Sequence, residues 1–208
     1  MMREKTVYFF RHGETDWNVA GKFQGHIDRP LNARGIEQAN ALAVVCQELG
    51  LELVVSSDLQ RAAATSQAVA DLAGVPCRVS SAFREVHMGD AEGRTYQENL
   101  EEFGEEIMRM WFYIDPSDEP SLHRTFPGGE SRRVMYDRFR AGLEEVLDDP
   151  DAPDVVGLGA HGGALRIFLT ITFPEQAEAL RHIPNTALYK ATRGEDRVWR
   201  FDGLVHEG

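Results

Sequence analysis

The sequence predicts an α/β fold, a three-layer α/β/α sandwich with a mainly parallel central sheet and a small helical cap insertion. Two observations lead to this prediction. Short apolar runs alternate with stretches of helical periodicity along almost the whole chain of 208 residues. The early strand-like runs are separated by helical stretches rather than by tight turns. Such strands need crossover connections, which favour parallel pairing and place helices on both faces of the sheet.

The first half of the chain supplies three strands and two long helices of this pattern. In order, the predicted elements are a strand at 6–10, a helix from 33 to about 49, a strand at 53–56, a helix from 59 to about 72 and a strand at 77–80. Residues 11–32 are rich in turn-forming residues and are expected to form loops. Asn32 and Asp58 are the predicted N-caps of the two helices, and Gly74 ends the second.

Residues 83–130 interrupt the alternation. We predict a cap-like insertion at about 93–130 within one domain that spans residues 1–208. The insertion contains an acidic helical stretch at 96–111 and a proline-rich loop. Beyond it, the predicted elements are a long helix that ends near residue 147, a strand at 154–160, a helix that ends near residue 171, a short helix at 174–180, and strands at 186–192 and 198–201.

Composition and charge argue against two classes of partner. The formal net charge of −12 argues against a nucleic-acid partner, because a phosphate backbone requires clustered Lys and Arg. The apolar runs fall short of the roughly 20 residues that a membrane-spanning helix needs, so we expect no membrane partner. A phosphate site in so acidic a chain must be a local positive pocket.

The cysteines and the N-terminus predict a cytoplasmic protein. Cys46 lies in an apolar helical pattern and Cys77 begins a strand-like run, so we expect both to be reduced core residues. The first strand follows almost directly after Met1, which leaves no room for a signal peptide.

Three side chains follow the ends of predicted strands. His12 comes after the first strand, Arg61 lies in the first turn of the helix after the second, and His161 comes after the fourth. The carboxyl ends of parallel strands meet at one edge of the sheet, so all three can face one crevice. Arg11 adds a planar guanidinium suited to phosphate, and a neutral imidazole is a nucleophile near pH 7. A turn histidine and a solvated arginine are the ordinary alternatives.

Several blocks of the sequence resemble the histidine phosphatase superfamily, and in particular its phosphoglycerate-mutase-like branch. They occur in the order of that family and span nearly the whole chain. The blocks are RHGET at 11–15, FQGHIDRPL at 23–31, SSDLQRA at 56–62, REVHMG at 84–89, PGGES at 127–131 and AHGG at 160–163.

The resemblance implies a role for each core residue. His12 corresponds to the nucleophile that carries the phosphoryl group, and Glu85 to the general acid that protonates the leaving oxygen. Arg11, Arg61 and His161 correspond to the phosphate pocket. Glu85 also has an ordinary alternative, a surface carboxylate paired with a neighbouring arginine such as Arg84 or Arg94.

The resemblance adds further contacts around this core. Asn18 and the backbone near Gln24 and Gly25 resemble additional phosphate and substrate contacts. Gly162 begins the helix after His161, where backbone N–H groups can approach an anion.

These roles set requirements on protonation. One ring nitrogen of His12 must stay unprotonated, so we expect the other to bind a fixed acceptor such as a backbone carbonyl. His161 is expected to act best as an imidazolium that donates to a phosphate oxygen. Glu85 must be protonated to act as an acid and then serves as base for water.

A phosphatase is favoured over a mutase. Mutases of this family carry a longer insertion with basic residues, whereas the segment between Glu85 and His161 is short and acidic, with Arg109 and Arg124 as the basic residues of its inserted part. A cofactor-dependent phosphoglycerate mutase and a catalytically silent phospho-ligand-binding module are the alternatives. The expected partner is a small-molecule phosphomonoester, and an edge strand near the C-terminus makes a homodimer possible.

We expect neither a metal nor another cofactor, because Arg11 and Arg61 would repel a divalent cation. The aromatic segment at 108–113 either contacts an organic substrate or packs the cap onto the domain. The remaining histidines are expected in loops or at the surface, with His123 within reach of the pocket.

Overall fold

The computed structural model describes residues 3–208, except for the side chain of Met110. Met1 and Met2 lie outside the described residues, and so does the Met110 side chain of the aromatic segment. The strands are β1 (Lys5–Arg11), β2 (Leu53–Ser57), β3 (Cys77–Ser80), β4 (Val155–Ala160), β5 (Leu188–Arg193) and β6 (Trp199–His206). The helices are α1 (Asp16–Val19), α2 (Ala33–Gln47), α3 (Gln60–Ala73), α4 (Tyr96–Phe112), α5 (Glu119–Leu122), α6 (Arg132–Leu147) and α7 (Gly162–Thr172). Three short 3₁₀ turns lie at Ser81–Phe83, Gly89–Ala91 and Pro174–Gln176.

One six-stranded sheet with the order β3-β2-β4-β1-β5-β6 forms the centre of the molecule. Strands β1 to β4 pair in parallel, whereas β5 and β6 add to the sheet antiparallel. The predicted mainly parallel sheet is therefore confirmed. Its carboxyl ends bring the segments after β1 and β4 side by side, since Arg11 pairs with Ala160 in register.

Two apolar cores flank the sheet, one on each face. Successive residues of a strand point to opposite faces, so Val7 and Phe9 of β1 enter one core and Tyr8 and Phe10 enter the other. Helices α6 and α7 cover the first face, and α2 and α3 cover the second. This arrangement confirms the three-layer sandwich. Cys46 lies in the second core and Cys77 is half-buried, and neither forms a disulfide.

The predicted N-cap of α3 is wrong. Asp58 does not cap the helix; its carboxylate binds the guanidinium of Arg84 through two hydrogen bonds of 2.7 and 2.6 Å. Asp28, from the loop between α1 and α2, instead accepts from the Gln60 backbone N–H at 2.8 Å. A bidentate pair with arginine is stronger than a single neutral hydrogen bond, which explains the exchange of partners. Asn32 caps α2 as predicted, accepting from the Gly35 N–H at 2.8 Å.

The C-terminal elements also differ from the prediction. The expected helix at 174–180 is reduced to the 3₁₀ turn Pro174–Gln176. Strand β5 begins two residues later than expected, because Thr186 has a φ of 59°, which extended backbone does not allow. Strand β6 runs on to His206 and leaves one edge of the sheet open.

Residues 93–130, where an insertion is predicted, contain α4 and α5. Gly104 has a φ of 80° and divides α4 into two halves. Met108 and Trp111 of the second half are buried in the core beneath, so this half of α4 is fixed to the domain. Within residues 3–208, the helices are too short or too polar to cross a membrane.

Candidate active site

The side chains predicted from the strand ends meet at the carboxyl edge of the sheet. The rings of His12 and His161 lie 5.2 Å apart, in an edge-on arrangement. A cavity of about 290 Å³ opens beside them and is lined by all the predicted site residues except His161, which is fully buried behind it. The lining also includes Lys22, Phe23, Met88, Trp111, Phe112, Gly163, Arg166, Arg181, His182 and Ile183.

His12 is held in one tautomer by its own neighbour. Its Nδ1 lies 2.6 Å from the carbonyl oxygen of Gly13. Because a carbonyl oxygen only accepts, Nδ1 carries the proton and Nε2 keeps its lone pair. Burial, followed by the charges of Arg61 and Arg11, lowers the pKa of His12 well below 6.5. The ring is therefore neutral, and Nε2 is the nitrogen with a free lone pair.

Gly13 makes this placement possible. A Cβ on Gly13 would lie 2.3 Å from the carbonyl oxygen of Gly35 in α2, so a side chain does not fit. The Gly13 N–H donates to Thr65 Oγ1 at 3.1 Å, and that hydroxyl donates to the Arg61 carbonyl at 2.8 Å. The loop after β1 is thereby joined to α3.

Arg61 is fully buried and has three protein partners. Its Nε donates to His161 Nδ1 at 3.2 Å, Nη1 to the Ile27 carbonyl at 3.0 Å, and Nη2 to the Gly25 carbonyl at 2.8 Å. Since arginine has five N–H donors, one N–H on each Nη remains for a ligand. A positive group in the first turn of α3 also adds to the anion-binding end of that helix.

His161 is neutral in this arrangement, which corrects the expected imidazolium. Its Nδ1 accepts from Arg61, so the proton is on Nε2. Burial, with the charge of Arg61 as the second cause, lowers the pKa of His161 well below 6.5. The Nε2–H is buried and finds no acceptor among the described residues. A neutral ring can still donate this hydrogen to a phosphate oxygen.

Arg11 presents a second buried donor. Its Nη1 donates to the Ile183 carbonyl at 2.7 Å, while its Nε is buried without a partner among residues 3–208. Burial lowers the pKa of Arg11 to about 10, which leaves it charged at neutral pH. A Cβ on Gly162 would lie 3.1 Å from this Nε, so the glycine allows the guanidinium to pack there. A buried donor left unpaired costs about 1–3 kcal/mol, which favours an anionic ligand at this point.

Glu85 is the one acidic side chain that lines the cavity among the described residues. It is 7% exposed, and its carboxyl oxygens accept from the backbone N–H groups of Val86 and Gly163, both at 2.9 Å. The alternative of a surface pair with Arg84 or Arg94 is wrong, because those arginines bind Asp58 and Glu102.

The predicted substrate contacts Asn18, Gln24 and Gly25 all line the cavity, but they differ in which polar atoms are free to bind a ligand. Asn18 Oδ1 accepts from the Thr15 N–H at 3.0 Å, which leaves the amide nitrogen for the cavity. Gln24 Oε1 is buried without a partner in the described part of the chain. The Gly25 carbonyl is occupied by Arg61. Gly25 has a φ of 49°, and a Cβ there would meet the Glu92 carboxylate.

Among the cavity residues that sequence reasoning missed, four have basic side chains: Lys22, Arg166, Arg181 and His182. Arg166 had a usable signal, because it lies three and four residues after the two glycines that open α7 and so shares their helix face. The other three lie in loops, where no periodicity indicates direction. His123, expected near the pocket, instead pairs with Glu119 and is 59% exposed.

A metal-binding cluster is not formed by the described residues, since their His, Cys, Asp and Glu side chains provide no group of three suited to an ion. The polar groups of the cavity are mainly donors, which suit an anion rather than a cation.

Acidification is expected to destabilise the folded protein through His12 and His161. The folded-state pKa values of His12 and His161 lie well below 6.5, so the unfolded chain binds protons first as the pH falls. The free energy of unfolding should decrease below pH 6.5, by about 1.4 kcal/mol per pH unit for each histidine. Urea unfolding between pH 7 and pH 5 measures this slope. Replacement of both histidines by asparagine should flatten it, and an unchanged slope in that variant would contradict the assignment.

The chain is similar to proteins of known family. Residues 7–205 match the sequence model of the histidine phosphatase superfamily (branch 1). The probable phosphoglycerate mutase GpmB of Escherichia coli O1:K1 is 34% identical over 203 residues, which cover 97% of this chain and 90% of that protein. The structure of mycobacterial hydrolase 1 has a TM-score of 0.86 and 28% identity, covering 99% of this chain and 100% of that one. A mycobacterial glucosyl-3-phosphoglycerate phosphatase has a TM-score of 0.82 and 27% identity, covering 97% and 98%.

Proposed function

This chain belongs to the histidine phosphatase superfamily, and on that premise we propose that it is a metal-independent phosphomonoesterase that acts through a phosphohistidine on His12. One observation carries the proposal. His12 Nδ1 is fixed by the Gly13 carbonyl, and its ring shares a cavity with Arg11, Arg61 and Glu85. A nucleophile, a positive phosphate pocket and an acid therefore lie together.

In the first step, the lone pair of His12 Nε2 attacks phosphorus and the bond to the leaving oxygen breaks. Glu85, acting as the general acid, gives a proton to that oxygen. Arg11, Arg61 and the His161 Nε2–H stabilise the negative charge on the transferring phosphoryl oxygens. Such stabilisation accounts for most of the catalysis of this kind of transfer.

In the second step, water attacks the phosphorus of phosphohistidine. Glu85, now ionised, takes a proton from the water, and the phosphorus–nitrogen bond breaks to release inorganic phosphate. The N–H groups of Val86 and Gly163 stabilise the ionised carboxylate at this stage. His12 returns to its neutral form with Nε2 free.

The surroundings of Phe112 support a substrate with an organic leaving group. The phosphate cavity and two larger grooves, of about 520 and 1020 Å³, share Phe112, Arg166 and Arg181 in their linings. Phe112 is 47% exposed and its ring contacts Tyr96. The two alternatives for the aromatic segment at 108–113 therefore apply to different residues. Trp111 packs the cap onto the core, whereas Phe112 faces the grooves.

A phosphoglycerate mutase is the second candidate, favoured by the 34% identity to the E. coli relative of that name. A mutase must return the phosphoryl group from phosphohistidine to a second hydroxyl before water reaches it. The cavity mouth is open and borders on solvent-facing grooves, which favours hydrolysis.

The two cysteines and the open sheet edge bear on where the enzyme acts and what it associates with. We place it in the cytoplasm, where Cys46 and Cys77 stay reduced. We expect no nucleic acid or membrane as a partner, and a homodimer across the open edge of β6 stays a prediction.

The experiment is a panel of phosphomonoesters with leaving groups of increasing size, assayed with and without EDTA. We expect p-nitrophenyl phosphate to be hydrolysed at the same rate in EDTA, and kcat/KM to rise for leaving groups that reach Phe112. A parallel assay follows conversion of 3-phosphoglycerate to 2-phosphoglycerate primed by bisphosphoglycerate. Isomerisation faster than hydrolysis would favour the mutase. Tight vanadate binding without turnover on any substrate would indicate a silent phospho-ligand-binding module.

A further inference from the structure

The backbone carbonyl of the acid residue accepts two side-chain hydrogen bonds. Arg138 Nη2, from α6, and His26 Nε2, from the loop after α1, both donate to the Glu85 carbonyl oxygen at 2.8 Å. Because that oxygen only accepts, Nε2 of His26 carries a proton. Two donors on one carbonyl fix the main chain from which the Glu85 carboxyl extends.

His26 lies between the acid and the phosphate pocket. Its flanking residues Gly25 and Ile27 supply the carbonyls that bind Arg61. Glu92, from the loop that follows the acid, accepts from the His26 N–H at 2.9 Å and from the Met88 N–H at 2.9 Å. The loop that orients the phosphate-binding arginine and the loop that bears the acid are thereby joined at His26.

The second donor, Arg138, is too deeply involved in packing to serve as a clean test. It also binds the Ala82 carbonyl at 2.8 Å and the Glu130 carboxylate, which in turn accepts from the His87 N–H. Replacing Arg138 would disturb the contact between α6 and the whole acid loop. The His26 side chain is 27% exposed, and within residues 3–208 its ring makes one hydrogen bond, to the Glu85 carbonyl. Its Nε2 also lies 3.9 Å from the Glu130 carboxylate, and the ring lies beside that of His87.

We propose that His26 is a positioning residue for the acid step: its Nε2–H sets the position of the Glu85 carboxyl relative to the leaving oxygen. The inference rests on the proposed phosphatase function, because it concerns the leaving group of that reaction. A general acid must lie within hydrogen-bond reach of the oxygen it protonates. A displacement of about 1 Å at a catalytic group can cost about 100-fold in rate.

The chemistry of the leaving group separates positioning from folding. p-Nitrophenolate is a weak base and departs with little protonation, whereas an alkoxide is a strong base and departs only with a proton. A misplaced acid therefore slows hydrolysis of an alkyl phosphate far more than that of p-nitrophenyl phosphate. A general loss of structure slows both equally.

The test compares His26→Phe, His26→Gln and the control His123→Phe, whose histidine is exposed and pairs only with Glu119 in the described part of the chain. For His26→Phe we expect kcat on glycerol 2-phosphate to fall about tenfold, and kcat on p-nitrophenyl phosphate to change less than about twofold. Vanadate affinity should be unchanged. His26→Gln should recover most of the loss, because its amide can donate to the same carbonyl. If His26→Phe does not fold, as judged by circular dichroism, His26→Asn replaces it, since its shorter amide leaves the carbonyl without this donor.

Equal losses on the two substrates, or no loss on glycerol 2-phosphate, would overturn the positioning role. Glu85→Gln provides the reference, with a strong preference for the better leaving group. A wild-type enzyme without hydrolysis, or a Glu85→Gln variant without that preference, would count against the proposed function itself and remove the basis of the His26 inference with it.

Discussion

Replacement of His12 by alanine is expected to abolish hydrolysis, with kcat lowered by at least about 10⁴-fold. The variant loses the nitrogen that forms the bond to phosphorus. It keeps Arg11, Arg61 and the His161 Nε2–H, so vanadate should still bind. The measurement is kcat on p-nitrophenyl phosphate, together with detection of acid-labile radiolabelled phosphohistidine in protein quenched during turnover.

His123→Ala is the matched control for this substitution. His123 is exposed and lies outside the cavity lining, so that variant should keep both turnover and labelling. Normal turnover in His12→Ala would refute the covalent mechanism. Turnover lost without any labelling of the wild-type protein would indicate that His12 binds phosphate but does not carry it.

Replacement of Arg61 by lysine is expected to lower kcat/KM by about 10²–10³-fold, although the charge is kept. A single ammonium group cannot reach His161 Nδ1 and the carbonyls of Gly25 and Ile27 while also presenting donors to phosphate. His161 then loses the donor that fixes its tautomer, and its Nε2–H is no longer reliably aimed at the phosphoryl oxygens. One substitution therefore weakens two phosphate contacts.

Steady-state kinetics and vanadate binding measure this effect. Arg78→Lys is a suitable control, because Arg78 lies exposed on the edge strand β3. The Arg61→Lys variant should bind vanadate more weakly than wild type, whereas Arg78→Lys should not. Full activity in Arg61→Lys would show that the charge alone suffices and that the three directed hydrogen bonds do not contribute.

The parallel part of the sheet could be predicted from the sequence, and with it the meeting of His12, Arg61 and His161. That prediction required only that strand ends align at one edge, which depends on the chain order of strands and helices. A backbone carbonyl as the acceptor for His12 could also be predicted, and it belongs to Gly13, the next residue in the sequence.

Contacts between distant loops could not be predicted in the same way. The cap of α3 comes from Asp28 and not from the adjacent Asp58, because Arg84 binds Asp58 from another loop. The proton on His161 depends on a hydrogen bond from Arg61, which the sequence order does not reveal. His182 reaches the cavity from a segment without periodicity. In each case the contact depends on tertiary packing, and the local sequence pattern carries no information about it.

The C-terminal end of α4 is attached to α7 through hydrogen bonds that its backbone carbonyls accept. Arg166 donates to the main-chain carbonyls of Phe112 and Trp111, at 2.9 and 3.2 Å, and its guanidinium also lies over the Phe112 ring, 5.9 Å from the ring centre. A carbonyl is present whatever residue stands at those positions. We therefore expect exchanges at Phe112 and Tyr113 to remove the ring contact but to leave these two hydrogen bonds, one helical turn from Gly163, in place. For the proposed phosphatase, we expect a library randomised at 112 and 113 to yield altered substrate preference with His12 chemistry intact.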